Sequence, residues 1–170
     1  MATWFIADTH FGHAGIIGLC KRPFANVEEM DDALIANWNT VVGPDDDVWH
    51  IGDFAYRIKP SRLRWIFGRL QGRKHLVPGN HDYDEALALP WSSQTRQIVE
   101  VSIDGQRVVL CHYAMRTWQG QHRGALHLYG HSHGTLPGTE QSTDVGVDCW
   151  GFQPVGLKQI RVRLREARSP

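Results

Sequence analysis

Five short apolar runs each break off in a carboxylate, an imidazole or an amide, and this punctuation constrains the fold more than any other feature of the chain. TWFIAD (3–8) ends at Asp8, with His10 two residues on, and VWHIGD (48–53) ends at Asp53. HLVPGNHD (75–82) ends in Asn80, His81 and Asp82, QRVVLCH (106–112) in His112, and ALHLYGHSHG (125–134) in His131 and His133. Short apolar runs bounded by turn residues read as strands. If such strands lie side by side and stop at one edge, their polar ends converge there. The carboxyl edge is where open α/β sheets bind ligands.

The segments between these runs read as helices in the first half of the chain. Asn26 with Glu29 three residues later is a capping-box-like start, followed by Val27, Met30, Leu34 and Trp38 at helical spacing until Gly43-Pro44. A second helix begins near Pro60, shows Leu63, Phe67 and Leu70 on one face, and stops by Gly72. Residues 12–20 read as a weak helix or turn, diluted by three glycines. After Pro90 the pattern turns to strand. QIVEVSI and QRVVLCH flank Asp104-Gly105 as a hairpin. DVGVDCW (144–150) reads as a strand. So does the C-terminal stretch, in which Ile160, Val162 and Leu164 alternate with Arg161 and Arg163. The expected class is mixed α/β with a β-rich second half, in one domain spanning residues 1–170.

Lysine plus arginine number 18 and so do aspartate plus glutamate, so net charge alone draws the chain to neither nucleic acid nor an anionic membrane. The three cysteines form no CxxC pair, which fits a reducing compartment better than a disulfide framework. The start MATWFIADTH lacks a signal-peptide pattern, and no apolar run approaches the ~18 residues of a membrane span. A soluble, cytoplasmic protein is expected.

The converging donors are nitrogen and oxygen with no thiolate, a set that suits manganese, iron or zinc. Seven residues (Asp8, His10, Asp53, Asn80, His112, His131 and His133) are too many for one ion. Two ions sharing Asp53 would each have four protein ligands. Asp8, Asp53 and a hydroxide offset only part of the +4 of two divalent ions, leaving positive charge for a phosphate. The amide of Asn80 preserves that charge where a third carboxylate would cancel it. Metals also bring the pKa of bound water from about 15.7 to about 7. In extended chain, residues two apart point to the same side, so His131 and His133 are expected to face one cavity, each reaching a different ion.

ADTHFGH, HIGDF, VPGNHD, LCHY and YGHSHG, in that order over residues 8–133, resemble the five motifs of the calcineurin-like metallophosphoesterases. The likeness is greater to short bacterial and phage members with GDFA and a late DVGVDCWG stretch. The resemblance implies a sandwich of two mixed β-sheets flanked by helices. It implies one ion on Asp8, His10, Asp53 and His133, and another on Asp53, Asn80, His112 and His131. It leaves His81 to stabilise the phosphoryl oxygens or protonate the leaving group. Manganese is the expected metal, with iron, zinc or nickel as alternatives. The chain departs from the GDxxDRG pattern of the protein phosphatases, where a second Asp supports the catalytic histidine. Tyr56 stands at that position, leaving Asp82 as the nearby carboxylate for His81, and Arg57 falls at the phosphate-binding Arg.

Other residues carry two readings. His13 stands at the mouth of the site or away from substrate. Arg116 and Trp118 bind a phosphate and a base, or are a surface Arg and a packing Trp. Asp144 and Asp148 orient ligand histidines or belong to a turn. His50, His75 and Cys111 read as structural, and His122 and His127 as non-catalytic. The expected function is a two-metal phosphoesterase acting on phosphodiesters with a nucleotide-like or other organic leaving group, nucleic-acid ends included. A small-molecule phosphomonoesterase is the alternative, and a non-catalytic scaffold a third reading. The complete donor set argues against the scaffold.

Overall fold

The computed structural model describes residues 1–167. Its chain order is β1 (Thr3–Ile6), α1 (Ala14–Leu19), α2 (Val27–Val41), β2 (Asp47–His50), α3 (Pro60–Arg69), β3 (Arg73–Leu76), α4 (Asp84–Leu87), β4 (Ser93–Gln94), β5 (Ile98–Ile103), β6 (Gln106–Cys111), β7 (Leu126–Tyr129), β8 (Ser142–Asp144), β9 (Val155–Gly156) and α5 (Leu157–Glu166). One sheet has the order β4-β3-β2-β1-β9, the other β5-β6-β7-β8. Both are mixed. β1 to β4 run parallel with β9 antiparallel, and β6, β7 and β8 run parallel with β5 antiparallel.

Alternation along β1 explains the layering. Phe5 and Ala7 point into a core shared with Val108, Leu110, Leu126 and Leu128 of the other sheet and with Leu157, Ile160 and Leu164 of α5. Ile6 points the other way, into a core with Met30, Leu34 and Trp38 of α2 and Leu63, Ile66 and Phe67 of α3. The period-2 pleat thus lets one strand bind a sheet on one face and helices on the other. The Asn26 carboxamide accepts the Glu29 N–H at 2.8 Å, and the Glu29 carboxylate accepts the Ala25 N–H, so α2 starts where its cap places it. At the hairpin, Asp104 and Gly105 both have positive φ, as a two-residue turn of matching twist requires.

Two expectations are corrected. Residues 157–166 form a helix, not a strand. Leu157, Ile160 and Leu164 are buried at helical spacing while Val162 is exposed, and the local alternation of 160–164 fits both periods until the wider window is read. The stretch 144–150 is not one strand either. β8 ends at Asp144, and the chain then crosses between sheets. Val145 donates to the Tyr129 carbonyl, Ala7 to the Val145 carbonyl and Val147 to the Ala7 carbonyl, before a 3-10 turn at Val147–Cys149. This stitch ties the ends of β1 and β7 together, close to Asp8 and His131.

Candidate metal centre

The strand-end residues do converge, by a backbone route the sequence reading did not anticipate. Asp8, His10, Asp53, His131 and His133 all lie in the left-handed region, with φ between 46° and 66°. Non-glycine residues pay a steric penalty there, and such outliers gather at functional sites. His131 and His133 therefore do not share a face through extended chain. The left-handed turns send them into two separate groups. Asp8, His10 and His133 bring donor atoms within 4.8 Å of one another, and so do Asp53, His112 and His131.

Asp53 joins the groups. Its Oδ2 lies 3.5 Å from His10 Nε2 and 3.4 Å from His112 Nε2. Asn80 Oδ1 is 3.1 Å from the same His112 nitrogen. Close approach of the loops requires glycine at position 52, where φ is +85° and a Cβ would stand 2.6 Å from the Gly79 nitrogen and from His112 Nδ1.

Four of the donors are held from behind: His112, His133, Asp8 and Asp53. His112 Nδ1 donates to the Ile51 carbonyl at 2.9 Å, which fixes the tautomer and leaves Nε2 for the centre. The His133 Nδ1 is 2.8 Å from Asp148 Oδ2, so Asp148 does orient a histidine. Asp144 instead holds the loop, accepting from Ser132 Oγ and from the Gly134 and Gly146 amides. The Asp8 carboxylate accepts the His131 N–H, and Asp53 Oδ1 accepts the His81 N–H at 2.8 Å.

Arg22 was not legible in the sequence. It is buried, grips both oxygens of Asp148 at 2.8 and 2.9 Å, and donates to the carbonyls of Asp8 and Thr9. It therefore pins the first ligand loop to the Asp148–His133 pair. Its partner Asp148 lies 126 positions away, and no local pattern announces such a pairing.

Asp82 is placed differently from expectation. Its two oxygens accept the amides of Gly79, Asp53 and Phe54, and among the described residues it makes no bond to the His81 ring. It is a clamp between the second and third motif loops. The His81 ring packs against Tyr56 at 4.9 Å and His10 at 5.5 Å. His13 does reach the site, 5.3 Å from His10 and 4.4 Å from Tyr56. Arg57 stacks over Tyr56 and lines a 270 Å³ cleft with His81 and Tyr83. Tyr113 leans on His131 at 4.8 Å and points its hydroxyl at Asn80 Oδ1, 3.4 Å away.

Arg116 is exposed, and Trp118 gives its indole N–H to the Ala125 carbonyl and its face to His127. Both line a separate pocket of 400 Å³ rather than touching the donor groups. His127 is fully buried between Val109 and Met115 backbone groups, His75 is bound to Ser93 and Asp47, and Cys111 is core. His50 is bound to Thr9 Oγ1 at 2.9 Å and is structural, with burial holding its pKa down to about 3.

The electrostatics describe a seat for cations. Burial pushes the Asp8 carboxyl up to about 7 and the His10 imidazole down to about 3. Burial also disfavours charge on Asp53 and His112, yet their mutual contact overrides it, bringing Asp53 to about 2 and His112 to about 9. A proton on His112 thus takes the place of positive charge the carboxylates call for. Both ring nitrogens of His10 are buried without any hydrogen-bond partner among the described residues. Such orphaned polar atoms are costly in a protein interior, and a coordinated cation removes the cost. The residues present fit divalent metal.

A profile of the calcineurin-like phosphoesterase superfamily domain matches residues 1–149. An uncharacterised protein of Methanocaldococcus jannaschii is 32% identical over 96% of this chain and 90% of its own length. The gene 66 protein of Mycobacterium phage L5 is 27% identical over 88% of this chain and 87% of its own. A solved structure of a protein of unknown function from Aquifex aeolicus shares the fold, with a TM-score of 0.74, 24% identity, and coverage of 94% of this chain and 97% of that one. The chain belongs to the calcineurin-like phosphoesterase superfamily. It is a metal-dependent phosphoric ester hydrolase acting on a phosphoester substrate. Among the described residues, no helix is long and apolar enough to cross a membrane.

Proposed function

We propose that the chain is one catalytic unit holding two divalent ions, manganese foremost, and that it hydrolyses phosphodiesters with an organic, nucleotide-like leaving group. The observation that carries the two-ion reading is Asp53 Oδ2, within 3.5 Å of a ring nitrogen from each donor group. Asp8, His10, Asp53 and His133 would hold one ion, and Asp53, Asn80, His112 and His131 the other. Bound there, divalent ions supply a nucleophile at neutral pH and neutralise charge on the phosphoryl oxygens.

The chain's own part is to orient and to move a proton. The His81 backbone is fixed by Asp53, and its ring faces both His10 and the cleft that Arg57 and Tyr83 line. A ring N–H there can be handed to the leaving oxygen, with the leaving group lying in the cleft. Asn80 and His131 are exposed, which suits an open site able to accept both arms of a diester. The three cysteines are all free, in keeping with work in the reducing cytoplasm.

The test is to strip the protein of metal, restore manganese, and compare a chromogenic phosphodiester with the matching monoester. His81→Ala controls for contaminating activity. Faster diester turnover, lost in the variant, is expected. Preference for the monoester would make the protein a small-molecule phosphatase. No turnover of either substrate with two equivalents of metal bound would overturn the proposal.

A further inference from the structure

The neutral net charge conceals a strongly one-signed segment. Residues 57–74 hold seven of the eighteen lysines and arginines and no aspartate or glutamate. Arg73 is committed to Asp47, and Lys74 turns in on the Leu70 and Gly72 carbonyls. Arg62 lies 3.6 Å from Asp31 and 3.9 Å from Asp32. Lys59, Arg64 and Arg69 make no ion pair with any described residue. These basic groups follow α3, whose other face is buried through Leu63, Ile66 and Phe67.

On the solvent side of α3 stands Trp65, 43% exposed, with the Arg62 guanidinium 4.3 Å and that of Arg69 5.1 Å from its ring. Spacing of three and four residues puts all three on one stripe of the helix. An exposed indole flanked by cations is the combination that binds single-stranded nucleic acid. The ring stacks on a base, and the Arg69 guanidinium, which no carboxylate of the described residues holds, can reach a phosphate. The stripe also connects to the centre. The groove lined by Lys59 and Arg62 shares Arg57 and Ile58 with the cleft beside His81. Glu28 and Asp31 border that groove on the α2 side, and Asp84 and Glu85 lie beside Arg64 on the α4 side. Carboxylates therefore border the basic track on both sides.

We infer that α3 is a docking track for single-stranded nucleic acid, which enters along Arg69, Trp65 and Lys59 and presents a phosphodiester to the centre past Arg57. This deepens the phosphodiesterase reading and rests on it for the cleavage step, but not for binding.

The experiment separates the two. Fluorescence anisotropy with a labelled oligothymidylate of about ten nucleotides would be read on manganese-loaded His81→Ala protein, so that the probe is not consumed. Adding Trp65→Ala to that protein is expected to weaken binding at least about fivefold. Adding Lys59→Ala with Arg69→Ala is expected to weaken it further and to flatten the slope of log affinity against log salt by about 1.4. Melting curves check that each variant folds. Unchanged affinity in folded variants would overturn the track. Equal displacement of the probe by polyglutamate would overturn it too, showing a general polyanion surface. If wild-type protein binds the oligonucleotide but hydrolyses no diester, the phosphodiesterase reading fails and the track stands. If it hydrolyses the small diester but does not bind the oligonucleotide at low salt, the track fails alone.

Discussion

The floor of the site and its rim are built on opposite principles. On the floor, Asp8, His10, Asp53 and His112 are 2% exposed or less, the first three sit in strained left-handed backbone, and Asp8, Asp53 and His112 are each tied to a backbone group of another loop. On the rim, Arg57, Tyr83 and Tyr113 are exposed and rest on ring stacking or one long hydrogen bond. A floor of this kind costs stability to assemble and tolerates little change. A rim of this kind is adjustable, and under the proposed function it would set which ester arms are accepted. The difference teaches that the donor groups are fixed by buried loops, whereas the cleft beside them is lined by side chains that few contacts hold.

The largest expected effect is at the joint of the floor. Asp53→Asn keeps the shape but removes the charge lying between His10 and His112. Loss of the shared ligand removes several kcal/mol of transition-state stabilisation, about a thousandfold in kcat. Metal analysis should show fewer than two equivalents retained. Full metal content with near-normal kcat would break the idea that Asp53 joins two ions.

Next comes the brace behind the floor. Asp148→Asn removes the carboxylate shared by Arg22 and His133. Such supporting groups are worth about 10–100-fold in metal affinity. Calorimetric titration with manganese should show one of two binding steps weakened by that factor, the other retained. Arg22→Lys keeps the charge but not the fork, and should weaken the same step by less. Equal weakening of both steps would mean that the brace serves the whole fold rather than one donor group.

How far the sequence revealed this molecule follows the same divide. The convergence of the seven proposed donors was legible because each follows an apolar run, and the five strands that precede them formed within a few residues of their expected places. The left-handed turns at Asp8, His10, His131 and His133 were not legible. They lie where loops close tightly on one another, as where Gly130 and Gly146 stand against the Asp8 carboxylate, and no local pattern marks that approach. Arg22 was invisible for a related reason, since its partners come from distant parts of the chain. The C-terminal helix was misread because Ile160, Val162 and Leu164 satisfy a period of two as well as one of 3.6, and only Leu157 and the exposure of Val162 decide. The edge strands β4 and β9 have two residues each, too short to show any period.

On the rim the expected effects are smaller and lie in KM. Arg57→Ala removes an exposed cation beside the His81 cleft. Exposed charge contacts are worth about 1 kcal/mol, so KM for a diester with an anionic leaving group should rise about fivefold with kcat held. A neutral leaving group should show almost none of that rise. A fall in kcat with KM unchanged would move Arg57 from the rim to the floor.

The smallest expected change is at Tyr113. Its hydroxyl is 3.4 Å from Asn80 Oδ1, at the long end of hydrogen bonding, while its ring packs against His131 and His112. Tyr113→Phe keeps the ring and should alter kcat by about twofold or less. Tyr113→Ala removes the ring that limits where His131 can sit, and should cost more. If Phe is as damaging as Ala, the hydroxyl rather than the ring is the working part, and Asn80 depends on a rim residue to hold its orientation. The floor would then extend out to Tyr113, and the boundary between fixed chemistry and adjustable selectivity would lie one residue further from the strands.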